Sequence, residues 1–417
     1  MFLEGFEKSK PLAFLARSVR CDNINKIGDV LLLKILTVFG TRPEAIKMAP
    51  LVKELEKYPE TICCRVAVTA QHREMLDQVL SLFNISPAYD LNIMQQGQNL
   101  FDITARALSG LQQVFQEEKP DLVLVHGDTT TTFVAALAAY YLQIPVGHVE
   151  AGLRTRDKFS PFPEEINRHL TGVLADINFA PTATARKNLL EEGVPPAKIY
   201  VTGNTVIDAL LATVRPGYRF ADDVLNAIDY SSRRVLLVTT HRRENLGEPM
   251  REIYRALRGI VESYPDVEVV FPVHKNPAVR SVVDEALGGM ARVHLIEPMD
   301  YQPFVNLISR SYLVLSDSGG VQEEAPSLGR PVLVLRNTTE RPEAVEAGTV
   351  LLVGTSREKV AGETRKLLDS ELFYNKMATA VNPYGDGHAS QRIVQAIMCW
   401  SGLINIKPDE FRPRPRR

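Results

Sequence analysis

The chain has 417 residues, 45% hydrophobic and 24% charged, with 48 Lys and Arg against 50 Asp and Glu for a net charge of -2. That length exceeds what one simple core supports and points to two domains. The balanced charge excludes general nucleic-acid binding and makes any anion site local. No apolar run reaches the length of a membrane-spanning helix. The cysteines, Cys21, Cys63, Cys64 and Cys399, form no C-x-x-C pair and no zinc spacing, so they read as reduced cytosolic thiols. Residues 1–29 fit poorly with the regular pattern that begins at residue 30. Their short apolar patch at 11–16 lacks a signal-peptide core and a small-residue cleavage site, so the stretch reads as a disordered leader or an upstream start codon chosen wrongly.

From residue 30 the pattern is α/β. Residues 30–39 form an apolar strand that ends in Gly40-Thr41-Arg42-Pro43-Glu44-Ala45-Ile46-Lys47. Pro43 suits the first position of a helix, where its missing N–H costs nothing. A helix start offers free N–H groups and a positive dipole end to an anion. Arg42 adds a fork of donors matched to phosphate oxygens, and Lys47 adds a point charge. The plain alternative is a solvated basic pair beside a cap; the strand–turn–helix context favours the anion reading. A strand at 65–68, a helix opened by Gln71-His72-Arg73-Glu74-Met75, and a helix at 100–115 come next.

The strand at 122–125 then breaks at Gly127 into Asp128-Thr129-Thr130, which open an Ala-rich helix at 133–142. A second apolar run ends at Glu150. Neighbouring parallel strands would deliver Asp128 and Glu150 to one carboxyl edge, where open α/β sheets bind ligands. Acids at strand ends also serve as helix caps, a reading open for Asp128 and weaker for Glu150, since Ala151-Gly152-Leu153-Arg154 does not resemble a helix start. After a polar loop at 155–162, Glu164 and Glu165 open a helix, where carboxylates also serve the dipole. A strand at 177–180, a helix at 184–192 and a strand at 199–202 complete the first half, which stops at Gly203-Asn204.

A second αβ series starts at 235–239 and runs into Thr240-His241-Arg242-Arg243-Glu244-Asn245. Strands at 267–273, 293–296 and 312–315 lead to Ser316-Asp317-Ser318-Gly319-Gly320 before a helix bearing Glu324. Such a turn leaves backbone N–H groups approachable by phosphate, and an acid one turn on can grip ribose hydroxyls. Then come strands at 332–335 and 350–353, helices to about 380, and a helix at 389–400; the Pro- and Arg-rich stretch 403–417 is expected to be disordered. The domains are thus expected at 30–204 and 205–382, two Rossmann-like halves facing a central cleft. Neither half contains G-x-G-x-x-G or a P-loop. Arg42-Pro43-Glu44-Ala45 and Arg341-Pro342-Glu343-Ala344 echo one another, without making a repeat architecture.

Taken together with His148-Val149-Glu150-Ala151-Gly152-Leu153-Arg154, these runs resemble, in order and across about residues 34–400, the non-hydrolysing UDP-N-acetylglucosamine 2-epimerases. The resemblance implies the glycosyltransferase-B architecture, with the helix at 389–400 crossing back to the first domain. It implies reversible conversion of UDP-N-acetylglucosamine to UDP-N-acetylmannosamine without cofactor or metal, by a cytoplasmic homodimer serving envelope polysaccharide synthesis. It matches catalytic roles to Asp128, Glu150, Glu164 and His241, and UDP-sugar contacts to Arg42, Lys47, Phe304, Ser318, Gly319, Gly320 and Glu324. Gln71 and Arg242 fall in the region where some members bind a second, activating substrate.

The chemistry explains why such residues are needed. The C2 hydrogen of an amino sugar is not acidic by itself. If UDP leaves C1, the C2 proton becomes removable and 2-acetamidoglucal forms; return of a proton to the other face and of UDP to C1 gives the epimer. The departing diphosphate needs preorganised positive groups. C2 needs acid–base groups on both faces, and grouped carboxylates raise one another's pKa so that one stays protonated. The rival readings are a hydrolysing epimerase, a glycosyltransferase on the same fold, and a catalytically dead UDP-sugar sensor. Transfer needs fewer acids at the sugar and a sensor needs none, so the carboxylate group disfavours both.

Overall fold

The structure is a computed structural model that describes residues 32–70, 73–95, 97–242 and 245–414. The leader and Gln71 lie outside the described residues.

Among the described residues seven strands, β1 (Leu33–Phe39), β2 (Ile62–Val68), β3 (Tyr89–Asp90), β4 (Leu122–His126), β5 (Val146–Val149), β6 (Ile177–Ala180) and β7 (Ile199–Val201), form one sheet in the order β3-β2-β1-β4-β5-β6-β7. The neighbours of β1, β2 and β4 pair in parallel, as do β6 and β7. Its crossovers carry α1 (Arg42–Leu55), α2 (Arg73–Leu82), α3 (Leu100–Glu118), α4 (Thr130–Tyr141), α5 (Glu164–Leu174) and α6 (Ala183–Glu191). After α7 (Thr205–Thr213) and α8 (Asp223–Ala227), a second sheet is built from β8 (Arg234–Thr239), β9 (Val267–Pro272), β10 (Val293–Ile296), β11 (Leu313–Ser316), β12 (Val332–Val334) and β13 (Val350–Leu352). Its order is β10-β9-β8-β11-β12-β13, parallel throughout. It carries α9 (Glu248–Ser263), α10 (Pro277–Leu287), α11 (Tyr301–Arg310), α12 (Gly319–Ser327), α13 (Pro342–Glu346) and α14 (Arg357–Asp369), followed by α15 (Glu371–Ala378) and α16 (Ala389–Trp400). The expected α/β class with two Rossmann-like sheets is therefore present.

The strands read as continuous apolar runs because both faces of each sheet are covered. Val123, Leu124 and Val125 are all fully buried, and so are Leu236, Leu237 and Val238. In the second sheet α9 presents Met250, Ile253, Tyr254, Leu257, Ile260 and Val261 to the core at helical spacing. Burying each such side chain contributes about 1.5–3 kcal/mol. By their contacts the described residues divide into two compact units: one holds those of 32–48, 52–149 and 159–177, the other those of 49–51, 150–158 and 178–414.

Strand order positions the functional edges. In the first sheet the order reverses between β1 and β4, in the second between β8 and β11. Chain crossovers leave in opposite directions at such points, opening a crevice at the carboxyl ends of the strands. The turns singled out in the sequence lie there: Gly40 to Arg42 after β1, Asp128 after β4, His241 after β8 and Asp317 to Gly320 after β11.

Two expectations are corrected. Arg42 is the first residue of α1 and Pro43 the second, because Thr41 takes the cap position. The stretch from 403 is not free over its described residues 403–414. Phe411 is 5% exposed, its N–H donates to Val201 O at 2.8 Å, and its ring lies under the Arg392 guanidinium. Glu410 also pairs with Arg186 at 2.7 Å. One buried aromatic ring outweighed the Pro- and Arg-rich composition on which the expectation of disorder rested.

Candidate functional site

In the first unit, Gly40 sits where a Cβ would lie 2.1 Å from Thr69 Oγ1 and 2.7 Å from Thr131 Oγ1, so only glycine fits between the ends of β1, β2 and the start of α4. Glu44, buried in the first turn of α1, gathers this edge. Its Oε2 accepts from Thr41 N at 2.7 Å and Gly40 N at 3.1 Å, and its Oε1 accepts from Thr129 Oγ1 at 2.7 Å and Thr132 Oγ1 at 3.1 Å. Burial pushes its carboxyl up from the ordinary value, against the pull of those donors. Arg42 and Lys47 stand half-buried on the same helix.

Asp128 follows β4 after Gly127, whose φ is +69°. Its Oδ2 accepts from Arg168 Nε at 2.8 Å and lies 2.7 Å from Arg168 Nη2; Asn167 Nδ2 donates to its backbone carbonyl at 2.9 Å. Arg168 is itself held by Glu165 at 2.9 Å. Glu164 and Arg168, four residues apart on α5, share a helix face. Glu164 Oε2 is buried and has no hydrogen-bond partner among the described residues. The structure thus gives Asp128 a guanidinium partner on the helix that Glu164 opens.

In the second unit, Glu150 follows β5 with φ +64°, a conformation side chains rarely take, and is 8% exposed. Asn204 Nδ2 donates to its Oε2 at 2.8 Å. His241 follows β8 with its side chain 43% exposed, and its Nδ1 lies 2.9 Å from Oδ1 of Asp317, which is fully buried. Asp317 also accepts from the backbone N–H groups of His241 and Arg242, at 3.0 and 2.9 Å, and from Asn245 Nδ2 at 3.2 Å. Burial would push the Asp317 carboxyl up, but the His241 hydrogen bond and charge, with the backbone donors, hold it below the ordinary value. The His274 ring stacks with that of His241, centroids 6.4 Å apart. His274, His241 and Asp317 thus follow the three adjacent strands β9, β8 and β11.

Ser318 caps α12 by backbone conformation, its own side chain making no hydrogen bond to the helix. Gly319 and Gly320 keep that end open to an approaching anion. Thr239 Oγ1 and Ser316 Oγ lie 2.6 Å apart and tie β8 to β11 beneath it. Glu324, 7% exposed and further along α12, accepts from Tyr301 OH at 3.0 Å. Phe304, on α11, packs partly buried against the core cluster of the second sheet. Arg242 Nη2 lies 3.9 Å from Glu340 Oε2. Among the described residues no group of three or more His, Cys, Asp or Glu is placed to hold a metal ion, and no helix is long and apolar enough to cross a membrane.

Sequence reasoning missed Arg168, Asn204, Glu44 and Asp317 as contributors. Asp317 stood inside a quoted motif, and the Gly203-Asn204 stop marked Asn204. Glu44 stood inside the run quoted after the first strand. Nothing local marked Arg168, forty residues from its partner.

A family model described as UDP-N-acetylglucosamine 2-epimerase matches residues 53–398. The UDP-N-acetylglucosamine 2-epimerase of Bacillus subtilis (strain 168) is 57% identical over 379 residues, 91% of this chain and 98% of the relative. Among solved structures, the UDP-GlcNAc 2-epimerase from Neisseria meningitidis, bound to UDP-GlcNAc, is similar with a TM-score of 0.78 at 52% identity, over 88% of this chain and 100% of that one. The S. aureus MnaA–UDP co-structure is similar with a TM-score of 0.83 at 52% identity, over 91% of this chain and 100% of that one.

Proposed function

Because the chain belongs to the UDP-N-acetylglucosamine 2-epimerase family, we propose that it interconverts UDP-N-acetylglucosamine and UDP-N-acetylmannosamine without releasing free sugar. In the proposed reaction the C1–O bond to UDP breaks and its electron pair leaves with the diphosphate. The C2 proton goes to a base, and the C1–C2 double bond of 2-acetamidoglucal forms. A proton then returns to the opposite face of C2 as UDP re-adds to C1.

Asp128 is the proposed first base. The observation that carries this reading is its clamp: Arg168 engages Oδ2 through two nitrogens, which orients the carboxylate and leaves Oδ1 to take the proton. Glu164 and Glu150 serve the opposite face or orient it. His241, with Nδ1 committed to Asp317, turns Nε2 to the leaving diphosphate, alongside the N–H groups of Gly319 and Gly320 and the Ser318 turn. Arg42 adds charge to the diphosphate and Lys47 acts more remotely. Glu324, oriented by Tyr301, takes the ribose hydroxyls, and Phe304 completes the UDP contacts.

The domain division at 30–204 and 205–382, with the helix at 389–400 returning to the first domain, is part of the proposal; the partition of β1 to β7 and β8 to β13 into separate sheets supports it. So is a homodimer, supported by Ile166, Leu170 and Val173, which form one exposed apolar stripe on α5. A cytoplasmic location, supply of activated mannosamine for envelope polysaccharide, and activation by a second substrate near Gln71 and Arg242 complete the reading. Proton NMR of the protein with UDP-N-acetylglucosamine in D₂O tests it. UDP-N-acetylmannosamine carrying deuterium at C2 is expected. Free N-acetylmannosamine with UDP would assign the chain to hydrolysing epimerases, and unchanged substrate would overturn the proposal.

A further inference from the structure

Asn204, 2% exposed, occupies the N-cap of α7. Its Oδ1 accepts from Val206 N at 3.0 Å, which fixes the orientation of the amide, and its own N–H donates to Tyr384 O at 2.7 Å. Both hydrogens of Nδ2 therefore point away from the cap, one to Glu150 Oε2 at 2.8 Å and one to Glu323 Oε2 at 3.2 Å. Glu323 is 1% exposed on α12, and its other oxygen accepts from Arg341 Nε. Two buried carboxylates thus flank one neutral amide, with one guanidinium close by. Burial opposes the charge on Arg341, but Glu323 and Glu150 hold its pKa up. A neutral two-hydrogen donor is the side chain that can bridge two carboxylates while its carbonyl caps a helix.

We propose that Asn204 is a positioning residue for the reaction, holding the Glu150 carboxylate against α12 through Glu323 and Arg341. Glu323 adjoins Glu324 on the helix whose first turn is the proposed diphosphate seat. The bridge therefore sets the acid in register with the nucleotide-bearing helix. The inference rests on the catalytic reading of Glu150.

The test separates the cap from the bridge. Asn204→Ser keeps a capping oxygen and removes the double donor. It is expected to fold and to bind UDP as the parent does, while kcat falls at least about tenfold at nearly constant KM, the mark of a misplaced reacting group. Asn204→Asp is isosteric and also caps, but sets a third carboxylate against Glu150 of the β5 turn and Glu323 of α12, with the Arg341 cation facing the group and Glu343 and Tyr384 beyond it. Its deficit is expected to be larger at about pH 8 and to shrink towards about pH 6, as a shared proton restores a donor. Parent-like kcat in either variant overturns the inference. The parent and Glu150→Gln are assayed alongside. A parent that converts no UDP-N-acetylglucosamine, or a fully active Glu150→Gln, overturns the functional reading instead.

Discussion

Asp317 Oδ1 lies 2.9 Å from His241 Nδ1, and the buried carboxylate also accepts the backbone N–H groups of His241 and its neighbour. That arrangement fixes which imidazole nitrogen carries the hydrogen and which one faces outward, the orienting role a carboxylate plays behind a functional histidine. Asp317→Asn keeps the volume and loses the charge. Turnover is expected to fall about 10²-fold, the scale of a lost acid–base group, with UDP affinity changing far less. Steady-state kinetics beside calorimetry decides it. The folded carboxyl is held below its ordinary value of 3.8, so the stability it contributes is present above that pH and lost as pH falls beneath it. Denaturation across acid pH should show the parent losing that increment and Asp317→Asn losing less.

Asp128 is held in place by Arg168 and Asn167, so a change at its carboxylate need not disturb the backbone. Asp128→Asn is expected to bind UDP nearly as the parent does and to turn over at least about a hundredfold more slowly. Near-normal turnover would remove Asp128 from the mechanism.

Glu324 is buried on α12 with Tyr301 as its donor. Glu324→Ala should weaken UDP binding by about 1.5–3 kcal/mol, the range for a hydrogen bond to a charged group. Bound-state chemistry, read in single turnover, should slow much less. Unchanged affinity in calorimetry would count against the ribose role.

Phe411 docks the tail through its buried ring, its N–H and the overlying Arg392. Phe411→Ala should free that segment, since removing a buried phenyl ring costs about 3–5 kcal/mol where the surroundings cannot collapse. A glutamate-specific protease should then cut after Glu410 well before the rest of the chain, while the parent tail resists. Equal cleavage rates would show that the ring does not hold the tail.

Much of the frame was legible in the residues themselves. The apolar runs ending at Phe39, Val125, Thr239 and Leu315 are strands because a parallel sheet buried on both faces needs continuous Val, Leu and Ile. Within two residues of each comes a Gly, Thr, Asp or Ser, because the chain must turn there and start a helix. Those are local requirements, met within a few residues, so periodicity and turn chemistry reveal them. The family resemblance came from the same turns, since they are where ligands meet the fold.

The tertiary structure alone decided the partners. Arg168 reaches Asp128 from 40 residues away, Asp317 reaches His241 from 76, and Asn204 bridges Glu150 and Glu323 across 54 and 119. Nothing in a local pattern encodes such pairs, because strand order sets them: β11 lies beside β8 although two strands intervene in sequence. The docked tail obeys the same rule, for a composition that reads as disorder gives way when one aromatic ring finds a buried seat. Sequence determined where the chain could place charge and open backbone. Packing between distant elements decided which of those groups are held, by what, and facing where.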